Sequence, residues 1–331
     1  MIPNQWYAIL DSREVKTGKP VGVKRLGERL VLWRDENGQV ACMQDQCVHR
    51  GAALSAGKLV DHHIQCPFHG LEYDASGKCV YIPAISRSGI VPKVFCQRAY
   101  PTRELQNFIW IWWGEPRSDL PPIRWFDSID DSFVYDTLVD PWPTHYSRAI
   151  ENQLDVIHLP FVHYNTIGRG GRRVVDGPIM RWDKEDPDLM SLWVYNRVDD
   201  AVPPRKADQI PEPTRHPQLQ FHMPNFWQNW IGDDMRIVAF FVPVDEENMI
   251  MYLRLYQRTV KAPILKQIFN FFGKISNLVI ERQDKRVVVT QRPYRTFNRM
   301  GESLLQGDSP IILYRRRREE LINVAKGLDQ K

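Results

Sequence analysis

The sequence of 331 residues predicts an α+β protein with two domains. Short strand-like segments separated by turns fill the chain from Gln5 to about Glu115. A stretch rich in proline and turn-forming residues, Gly114–Pro122, comes next, and longer alternating segments with two helical patterns follow it. We therefore place one domain at residues 1–115 and a second at residues 116–331.

The charge and composition of the chain exclude several classes of protein. Lys and Arg total 44 and Asp and Glu total 40, and a formal net charge of +4 is too small to indicate a nucleic-acid partner. The N-terminus has no basic segment followed by an apolar run, and no apolar run is long enough to span a bilayer. We therefore expect a cytoplasmic protein with no membrane partner.

The five cysteines do not indicate a disulfide framework, because an odd number cannot pair completely. Cys42, Cys79 and Cys96 are expected to be reduced, partly buried thiols. The other two cysteines lie in metal-binding patterns.

The first domain is predicted to consist of short strands joined by turns. Its clearest hairpin has Asn37-Gly38 in the turn between two apolar runs, which is a strong hairpin signal. Regular spacing of such strands favours a barrel or a sandwich. The predicted strands are Trp6–Leu10, Leu30–Arg34, Val40–Met43, Ile64-Gln65, Leu71–Tyr73, Cys79–Ile82 and Phe108–Trp113.

Two short metal-binding patterns lie in loops of this domain. Cys47 and His49 form a Cys-x-His pattern, and after sixteen intervening residues Cys66 and His69 form a Cys-x-x-His pattern. The first spacing is too short for the usual paired zinc ligands. The two patterns together are typical of a Rieske [2Fe–2S] cluster, in which two His replace two Cys on one iron. A zinc site, or four unrelated residues, is the alternative.

Each pattern would contribute one Cys to the inner iron and one His to the outer iron, which would lie near the surface. His62 and His63 lie between the two patterns and are expected to be surface residues, since four ligands are already present.

A second constellation lies just beyond the linker. Residues 144–157 have helical spacing, which would place Asn152, Asp155 and His158 on one face. Pro160 should bend or end this helix and could bring His163 back toward His158. Two His and one carboxylate form the facial triad of non-haem Fe(II) oxygenases. Two ordinary His near a helix end are the alternative.

The carboxylate of such a triad must come from elsewhere in the chain. Apolar residues at helical spacing predict a long helix from about Pro263 to Gln291, and Asp284 lies among apolar neighbours on it. A carboxylate in apolar surroundings is costly unless it is paired or metal-bound, which favours Asp284. Asp155 is the competing candidate, and an exposed, unligated Asp284 is the other alternative.

Taken together, these motifs resemble those of the terminal oxygenase α-subunits of Rieske non-haem iron oxygenases. The spacing Asn-x-x-Asp-x-x-His-x4-His is most similar to the monooxygenase and O-demethylase branch, typified by vanillate and dicamba demethylases. The resemblance implies a Rieske β domain followed by a helix-grip catalytic domain, an antiparallel sheet around long helices. The strands expected in that sheet include Phe133–Val139, Ser191–Arg197, Met235–Val244 and Met249–Tyr256.

The resemblance also implies roles for individual residues. It makes Cys47, His49, Cys66 and His69 the cluster ligands, and His158, His163 and Asp284 the ligands of a mononuclear Fe(II). It implies that Asp155 bridges His158 of its own chain and His69 of a neighbouring chain in a homotrimer. Asn152 occupies the position of a polar residue close to the iron.

The implied activity is that of a terminal oxygenase. Such a protein uses O2, and electrons from a separate NAD(P)H-dependent reductase or ferredoxin, to hydroxylate or oxidatively demethylate a small aromatic or cyclic compound. The sequence shows no nucleotide-binding glycine loop and no flavin segment, so we expect the reductase to be another protein. A ring-cis-dihydroxylating dioxygenase α-subunit, or a Rieske electron-transfer protein without oxygenase activity, is the alternative.

Three further expectations concern the surroundings of the iron. Residues 168–173 form a basic, glycine-rich loop that is either solvated or a lid or carboxylate binder, and Arg315–Arg318 form either a solvated face or a docking patch for an electron donor. Possible pocket residues, each of which could equally be ordinary core, are Ile157, Phe161, Asn225, Phe226, Trp227, Trp230 and Ile275.

Overall fold

The computed structural model describes residues 1–260 and 262–328. The chain forms two compact units. The first comprises Pro3–Ile123 together with Val242–Asp245, and the second comprises Arg124–Phe241 and the described residues from Glu246 onward. The predicted α+β class is confirmed. None of the helices in the described part of the chain is both long enough and apolar enough to cross a membrane.

The first unit is built from eleven short strands in three antiparallel sheets. The sheets have the strand orders β1-β11-β10, β2-β3-β4-β9 and β5-β6-β7-β8. The strands are β1 (Gln5–Asp11), β2 (Val21–Arg25), β3 (Glu28–Arg34), β4 (Val40–Gln44), β5 (Lys58–Val60), β6 (His63–Gln65), β7 (Glu72–Tyr73), β8 (Cys79–Tyr81), β9 (Ala99–Tyr100), β10 (Thr102–Leu105) and β11 (Phe108–Trp113).

The hairpin predicted at Asn37-Gly38 joins β3 and β4, with Arg34 paired with Val40. The Asp35 carboxylate accepts hydrogen bonds from the backbone N–H groups of Asn37 and Gln39, and Gly38 has a φ of 75°. The side chain therefore fixes a turn that also needs glycine at its left-handed position.

One of the two apolar clusters of this unit includes both cysteines of the metal-binding patterns. Cys47 and Cys66 are 2% exposed and pack with Trp33, Ile64 and Tyr73, which are 0% exposed. Two β-sheets contribute to this cluster, since Trp33 lies on β3 while Ile64 and Tyr73 lie on β6 and β7. The core thus positions the base of both metal-binding loops.

The second unit contains a seven-stranded sheet with the order β12-β18-β17-β16-β15-β14-β13. All four strands that the resemblance placed in this sheet are present. The strands are β12 (Val134–Trp142), β13 (Val174–Trp182), β14 (Leu189–Arg197), β15 (Leu219–His222), β16 (Phe226–Gly232), β17 (Met235–Pro243) and β18 (Met249–Gln257), and the helices are α1 (Tyr146–Leu154), α2 (Leu159–Val162), α3 (Pro263–Val288) and α4 (Ser309–Ala325). Single 3-10 turns occur at Ser12–Glu14, Leu54–Ala56, Pro83–Ile85, Ala207–Gln209 and Gln306–Asp308.

The long helix α3 packs against the strand β12. Lys285 Nζ donates to both oxygens of Asp140 at 3.0 and 2.9 Å, and the indole of Trp142 donates to Glu281 Oε1 at 3.1 Å. Trp142 is 1% exposed, so this contact lies inside the core. These two contacts set the rotation of α3 and turn the face with Asp284 toward the cavity of this unit.

The arginine run of α4 is not a uniformly solvated face, nor an accessible docking patch. Arg315 is 4% exposed and donates to both Glu151 oxygens at 2.8 Å, and Arg318 is also 4% exposed and donates to the Thr296 carbonyl at 2.7 Å. Of the four arginines, Arg316 is exposed and Arg317 is partly buried. The expectation was wrong for the two buried arginines. Arg315 forms an ion pair with Glu151 that offsets the cost of burying its charge, and Arg318 donates to a backbone carbonyl.

Candidate metal centres

The two metal-binding loops of the first unit have the same backbone geometry. Cys47 N–H donates to Ala52 O at 2.8 Å and Gly51 N–H donates to Cys47 O at 2.8 Å. In the second loop, Cys66 N–H donates to Leu71 O at 2.7 Å and Gly70 N–H donates to Cys66 O at 3.1 Å. The two glycines have φ values of 73° and 74°, a conformation that side chains disfavour. The two cysteines therefore lie in loops of the same backbone conformation.

The ligand atoms of these loops converge. The cysteines are buried at the base, whereas His49 and His69 are exposed and their Nδ1 atoms lie 3.2 Å apart. Burial raises the pKa of the Cys66 thiol, although the backbone N–H groups of Phe68 and His69 lower it by hydrogen bonding to the sulfur. Two buried thiols and two convergent imidazoles fit the donor set of a Rieske cluster.

A tyrosine hydroxyl contacts one of the two cysteines. Tyr73 is 0% exposed and its hydroxyl lies 3.2 Å from Cys47 Sγ. Burial and the hydrogen bond with Cys47 raise the pKa of Tyr73 above its ordinary value, so the hydroxyl stays protonated and can donate to a thiolate. Hydrogen bonds to cluster sulfurs are one of the means by which proteins set the potential.

The second unit brings together His158, His163 and Asp284. One ligand atom from each lies within 4.8 Å of the other two. Asp284 Oδ1 is 3.0 Å from His163 Nε2 and 3.5 Å from His158 Nε2. This oxygen is buried and accepts no hydrogen bond of good geometry from the described residues. A buried carboxylate oxygen facing two imidazole nitrogens fits a divalent metal ion.

Hydrogen bonds to the far side of each ring fix the tautomers. His163 Nδ1 donates to Gln283 Oε1 at 2.8 Å, and His158 Nδ1 donates to the Asp155 carbonyl at 3.0 Å. The amide of Gln283 is itself oriented, since Thr166 donates to Oε1 and Nε2 donates to Asn165, both at 2.9 Å. Both histidines therefore direct Nε2 toward Asp284.

The helix break that brings the histidines together is not at the predicted position. Helix α1 ends at Leu154, so Asp155 and His158 do not share a helical face. The Asp155 carboxylate accepts from the N–H groups of Ile157 and His158 at 2.6 and 3.2 Å, which forms a tight turn. Pro160 lies in the first turn of the short α2, where proline is tolerated, rather than at the break.

Asp155 is partly accessible. Its side chain is 27% exposed, and Oδ1 lies 3.8 Å from His158 Nδ1. Burial opposes its ionisation, but hydrogen bonds from His158 and from the backbone of Ile157 lower the pKa of Asp155 overall. Within the described part of the chain, Oδ2 has no hydrogen-bond partner, which leaves it available to another group.

The amide of α1 that reaches the triad is Gln153 and not Asn152. Gln153 Nε2 donates to Asp284 Oδ2 at 3.4 Å and lines the cavity. Asn152 does not line the cavity, and its Nδ2 is buried without a hydrogen-bond partner among the described residues. The sequence analysis predicted Asn152 as the polar residue near the iron, which is one position too early. The position at which α1 ends determines which amide faces the metal site.

The triad lies in the wall of a cavity of about 880 Å³, a volume suited to a drug-sized ligand. Of the seven predicted pocket residues only Trp227 lines it. Asn225 and Phe226 are buried in the core, whereas Phe161 and Ile275 are exposed. Apolar lining residues include Val156, Leu159, Val194, Ile237, Met251, Leu253 and Ile280.

A second acidic side chain of α3 lines the same cavity. Glu281 is 4% exposed, and its Oε2 is buried with no hydrogen-bond partner among the described residues. Burial and the nearby Asp140 carboxylate raise the pKa of Glu281 to about 8. The group is therefore mostly protonated at neutral pH, unlike an ordinary glutamate.

Sequence reasoning missed Gln153, Gln283 and Glu281. Only Glu281 had a usable signal, because it lies three residues before Asp284 and so shares a helical face with it. Gln283 reaches His163 from 120 residues away in sequence, and no local pattern reports such a contact.

Comparison with known proteins agrees with this geometry. A model of the Rieske [2Fe–2S] domain matches residues 5–101, and a model of the vanillate O-demethylase oxygenase C-terminal domain matches residues 142–324. NdmA of Pseudomonas putida CBB5 shares the fold with a TM-score of 0.76 at 21% identity, covering 98% of this chain and 92% of that one. Dicamba monooxygenase bound to dicamba has a TM-score of 0.72 at 21% identity, with 99% of each chain covered.

Relatives of higher identity match over shorter segments. The oxygenase component of dicamba O-demethylase from Stenotrophomonas maltophilia is 37% identical over 168 residues, which is 49% of this chain and 48% of the relative. Aminopyrrolnitrin oxygenase of Pseudomonas fluorescens is 34% identical over 203 residues, 60% of this chain and 56% of the relative. The chloroplast protein TIC 55 of Pisum sativum is 32% identical over 164 residues, 49% of this chain and 30% of the relative.

The chain therefore spans about half of the length of the first two of these relatives and less than a third of the third. The two domain matches cover most of its residues, and the second alone covers more than half. The protein belongs to the Rieske oxygenase family whose members carry a Rieske [2Fe–2S] domain and a vanillate O-demethylase-type oxygenase domain that binds mononuclear iron.

Proposed function

We propose that this protein is the terminal oxygenase component of a Rieske oxygenase system. It would use O2, and electrons from a separate NAD(P)H-dependent reductase or ferredoxin, to hydroxylate or oxidatively demethylate a small aromatic or cyclic compound. The observation that carries the proposal is the triad of His158, His163 and Asp284 in the wall of a large, mostly apolar cavity. An electron carrier needs neither the triad nor the cavity.

In this proposal Cys47, His49, Cys66 and His69 bind the [2Fe–2S] cluster. Support comes from the two loops with the same backbone hydrogen bonds, the buried thiols and the 3.2 Å separation of the two imidazole Nδ1 atoms. Exposure of both histidines would leave the outer side of the cluster accessible to an electron donor. We assign this centre to a domain at residues 1–115 and the oxygenase chemistry to residues 116–331.

His158, His163 and Asp284 would bind the mononuclear Fe(II). A ferrous ion with two His and one carboxylate keeps open positions at which O2 can be reduced beside a bound substrate. The contribution of the chain is to hold the ligands: Gln283 and the Asp155 carbonyl keep both imidazoles in the tautomer that presents Nε2. The apolar walls would exclude water and position the ring of the substrate.

Asp155 would link two subunits of a homotrimer. Its turn toward His158 and its free Oδ2 support a bridge from His158 to His69 of a neighbouring copy of this chain. A carboxylate between two imidazoles orients both rings. Asn152 lies in α1 three residues before Asp155, and Gln153 would be the amide closest to Asp284.

The names of the relatives support the monooxygenase and demethylase branch over ring dihydroxylation. They include an O-demethylase, an aminopyrrolnitrin oxygenase and toluene-4-sulfonate monooxygenase components. By analogy we place this protein in the cytoplasm, with a separate reductase as partner.

The substitution His158→Ala tests the proposal. Removal of one imidazole should empty the mononuclear site, so iron should fall from about three to about two atoms per chain while the [2Fe–2S] electron paramagnetic signal persists. Oxygen uptake and formaldehyde release should be lost with every methoxylated or N-methylated aromatic compound that the unmodified protein oxidises. Turnover at the original rate in this variant would refute the assignment of the triad.

A further inference from the structure

The cavity of the second unit has an unusual distribution of charge. Its buried part contains the triad and Glu281, whereas its solvent-exposed part is lined by five arginines from four segments of the chain. These are Arg169, Arg172, Arg197, Arg205 and Arg215. Guanidinium groups that converge on one cavity are a common means of recognising an anion.

Two of these arginines are already neutralised in part. Asp176 is 1% exposed and its Oδ2 accepts from Arg205 at 2.9 Å and from Arg197 at 3.3 Å. Arg197 also pairs with Asp200. These contacts make the pair a fixed part of the wall, with the buried carboxylate of Asp176 holding both side chains in place.

The other three arginines have no carboxylate within 4.0 Å in the described part of the chain. Arg215 donates to the Val194 carbonyl and to Gln218, and its guanidinium carbon lies 4.8 Å from the centre of the Tyr195 ring. Among the described residues, Arg169 donates only to the backbone carbonyl of Asn165. These three arginines therefore bring to the exposed part of the cavity positive charge with which no carboxylate of the described residues forms an ion pair.

We propose that this arginine subsite binds an anionic group of the ligand, a carboxylate or sulfonate attached to an apolar ring, with Arg172 and Arg215 as its principal partners. The apolar walls, among them Val194 and Trp227, would accommodate the ring. The inference rests on the proposed function only in taking the triad as the reacting end of the cavity.

The chain offers a matched control for these arginines. Arg173 is the neighbour of Arg172 in the same exposed loop but does not line the cavity, and its guanidinium carbon lies 5.8 Å from the centre of the Phe161 ring. Replacing it removes the same charge from the same loop. A general electrostatic effect on binding would therefore appear equally in the variants of Arg172 and Arg173.

The test compares two fluorescent dyes with the same ring skeleton, anilinonaphthalene sulfonate and the neutral phenylnaphthylamine. We expect the sulfonate to bind at least roughly tenfold more tightly, and Arg172→Gln or Arg215→Gln to weaken it by roughly three- to tenfold. The neutral dye should bind unchanged in both variants. Arg173→Gln should alter the sulfonate affinity by less than about twofold.

Equal affinity of the unmodified protein for both dyes would overturn the arginine subsite. So would a loss of sulfonate binding that is as large in Arg173→Gln as in Arg172→Gln and Arg215→Gln. The measurement needs neither iron nor turnover, so it remains informative if the oxygenase activity itself fails to appear. A failed activity screen with retained sulfonate selectivity would count against the proposed function alone.

Discussion

The two candidate metal centres of this protein are constructed in opposite ways. The four cluster residues lie within 23 positions of one another, on two loops with the same backbone hydrogen bonds, and the histidines are exposed. The triad joins His158 and His163 to Asp284, and both His163 and Asp284 are buried. A local site is specified by its own loops, whereas a distant one depends on the packing of α3.

The difference extends to the groups around the ligands. In the first centre, hydrogen bonds from Tyr73 and from the backbone reach the sulfurs. In the second, Gln283 and the Asp155 carbonyl reach the imidazoles. The first arrangement would adjust the charge of a bound cluster, and the second would fix the geometry of ligands around a bound ion. Substitutions at each should therefore change different properties.

The largest effect is expected for Asp155→Asn, which tests whether the two centres cooperate. The amide oxygen can still accept from Ile157 and His158, so the turn should persist, but the negative charge that would bridge two imidazoles is lost. We expect both metals to remain bound and single-turnover product formation by pre-reduced protein to fall on the order of a hundredfold.

Asp183→Asn is the matched control, because Asp183 Oδ1 also accepts from two backbone N–H groups, at 2.9 Å each, in an exposed turn. It should leave single-turnover product formation unchanged. Full activity of Asp155→Asn would argue against the bridge between subunits.

The difference between the two metal centres also explains which features could be predicted from the sequence. The spacing of Cys47, His49, Cys66 and His69 predicts the first centre because loops that short leave little conformational choice. The two histidines of the triad were identified, yet the reason given was incomplete: the turn at Asp155 ends α1, whereas Pro160 was expected to break it. The observed turn at Asp155 ends α1 before His158, and the short α2 then connects His158 to His163.

The cavity was least predictable. Most of the aromatic residues proposed for its lining lie elsewhere, because alternation along a strand does not show which face of a seven-stranded sheet meets α3. The arginines of the cavity come from separate segments that meet only in the folded chain. The contact between Gln283 and His163 likewise leaves no local pattern in the sequence, because His163 lies at the end of another helix.

A second prediction concerns Glu281, the buried acid of α3 near the triad. Among the described carboxyl groups whose pKa is shifted, none near the cluster residues resembles it. The pKa of Glu281 is about 8 in the folded chain and near 4.5 ordinarily, so between these values only the folded state keeps the proton. The free energy of unfolding should therefore fall as pH rises across this window. In Glu281→Gln this fall should be absent, because the amide does not ionise.

The difference in stability between Glu281→Gln and the unmodified protein should reach a few kcal/mol near pH 8, since one pKa unit corresponds to about 1.4 kcal/mol. Denaturant unfolding at several pH values, followed through Trp142 and the other indoles, measures it. Glu36→Gln, an exposed glutamate of the first unit, serves as the control and should show no pH-dependent gain. Parallel pH profiles of Glu281→Gln and the unmodified protein would contradict the protonated state.

A third prediction asks whether the second centre depends on ligand orientation. In Gln283→Leu the Nδ1–H of His163 loses its acceptor, so the ring can adopt either tautomer or rotate. Affinity for Fe(II), measured against a competing chelator, should fall roughly 10- to 100-fold, while the [2Fe–2S] spectrum stays unchanged.

Gln283→Glu keeps an acceptor oxygen and should restore most of the affinity. Gln291→Leu, at an exposed position just beyond the end of α3, should have no effect on it. Normal iron affinity in Gln283→Leu would mean that burial of His163 alone holds the ring.

The smallest effect is expected for Tyr73→Phe, which tests the corresponding property of the first centre. The substitution removes only the hydroxyl that lies 3.2 Å from Cys47 Sγ and keeps the buried ring. A neutral hydrogen bond is worth about 0.5–1.5 kcal/mol and stabilises the more negative, reduced cluster, so the potential should drop on the order of 20–60 mV.

Tyr81→Phe, on the neighbouring strand β8, should leave the potential unchanged. Protein-film voltammetry measures both, and iron content should stay the same in each variant. An unaltered potential in Tyr73→Phe would show that the backbone N–H groups of Phe68 and His69, rather than this hydroxyl, set the charge on the sulfurs.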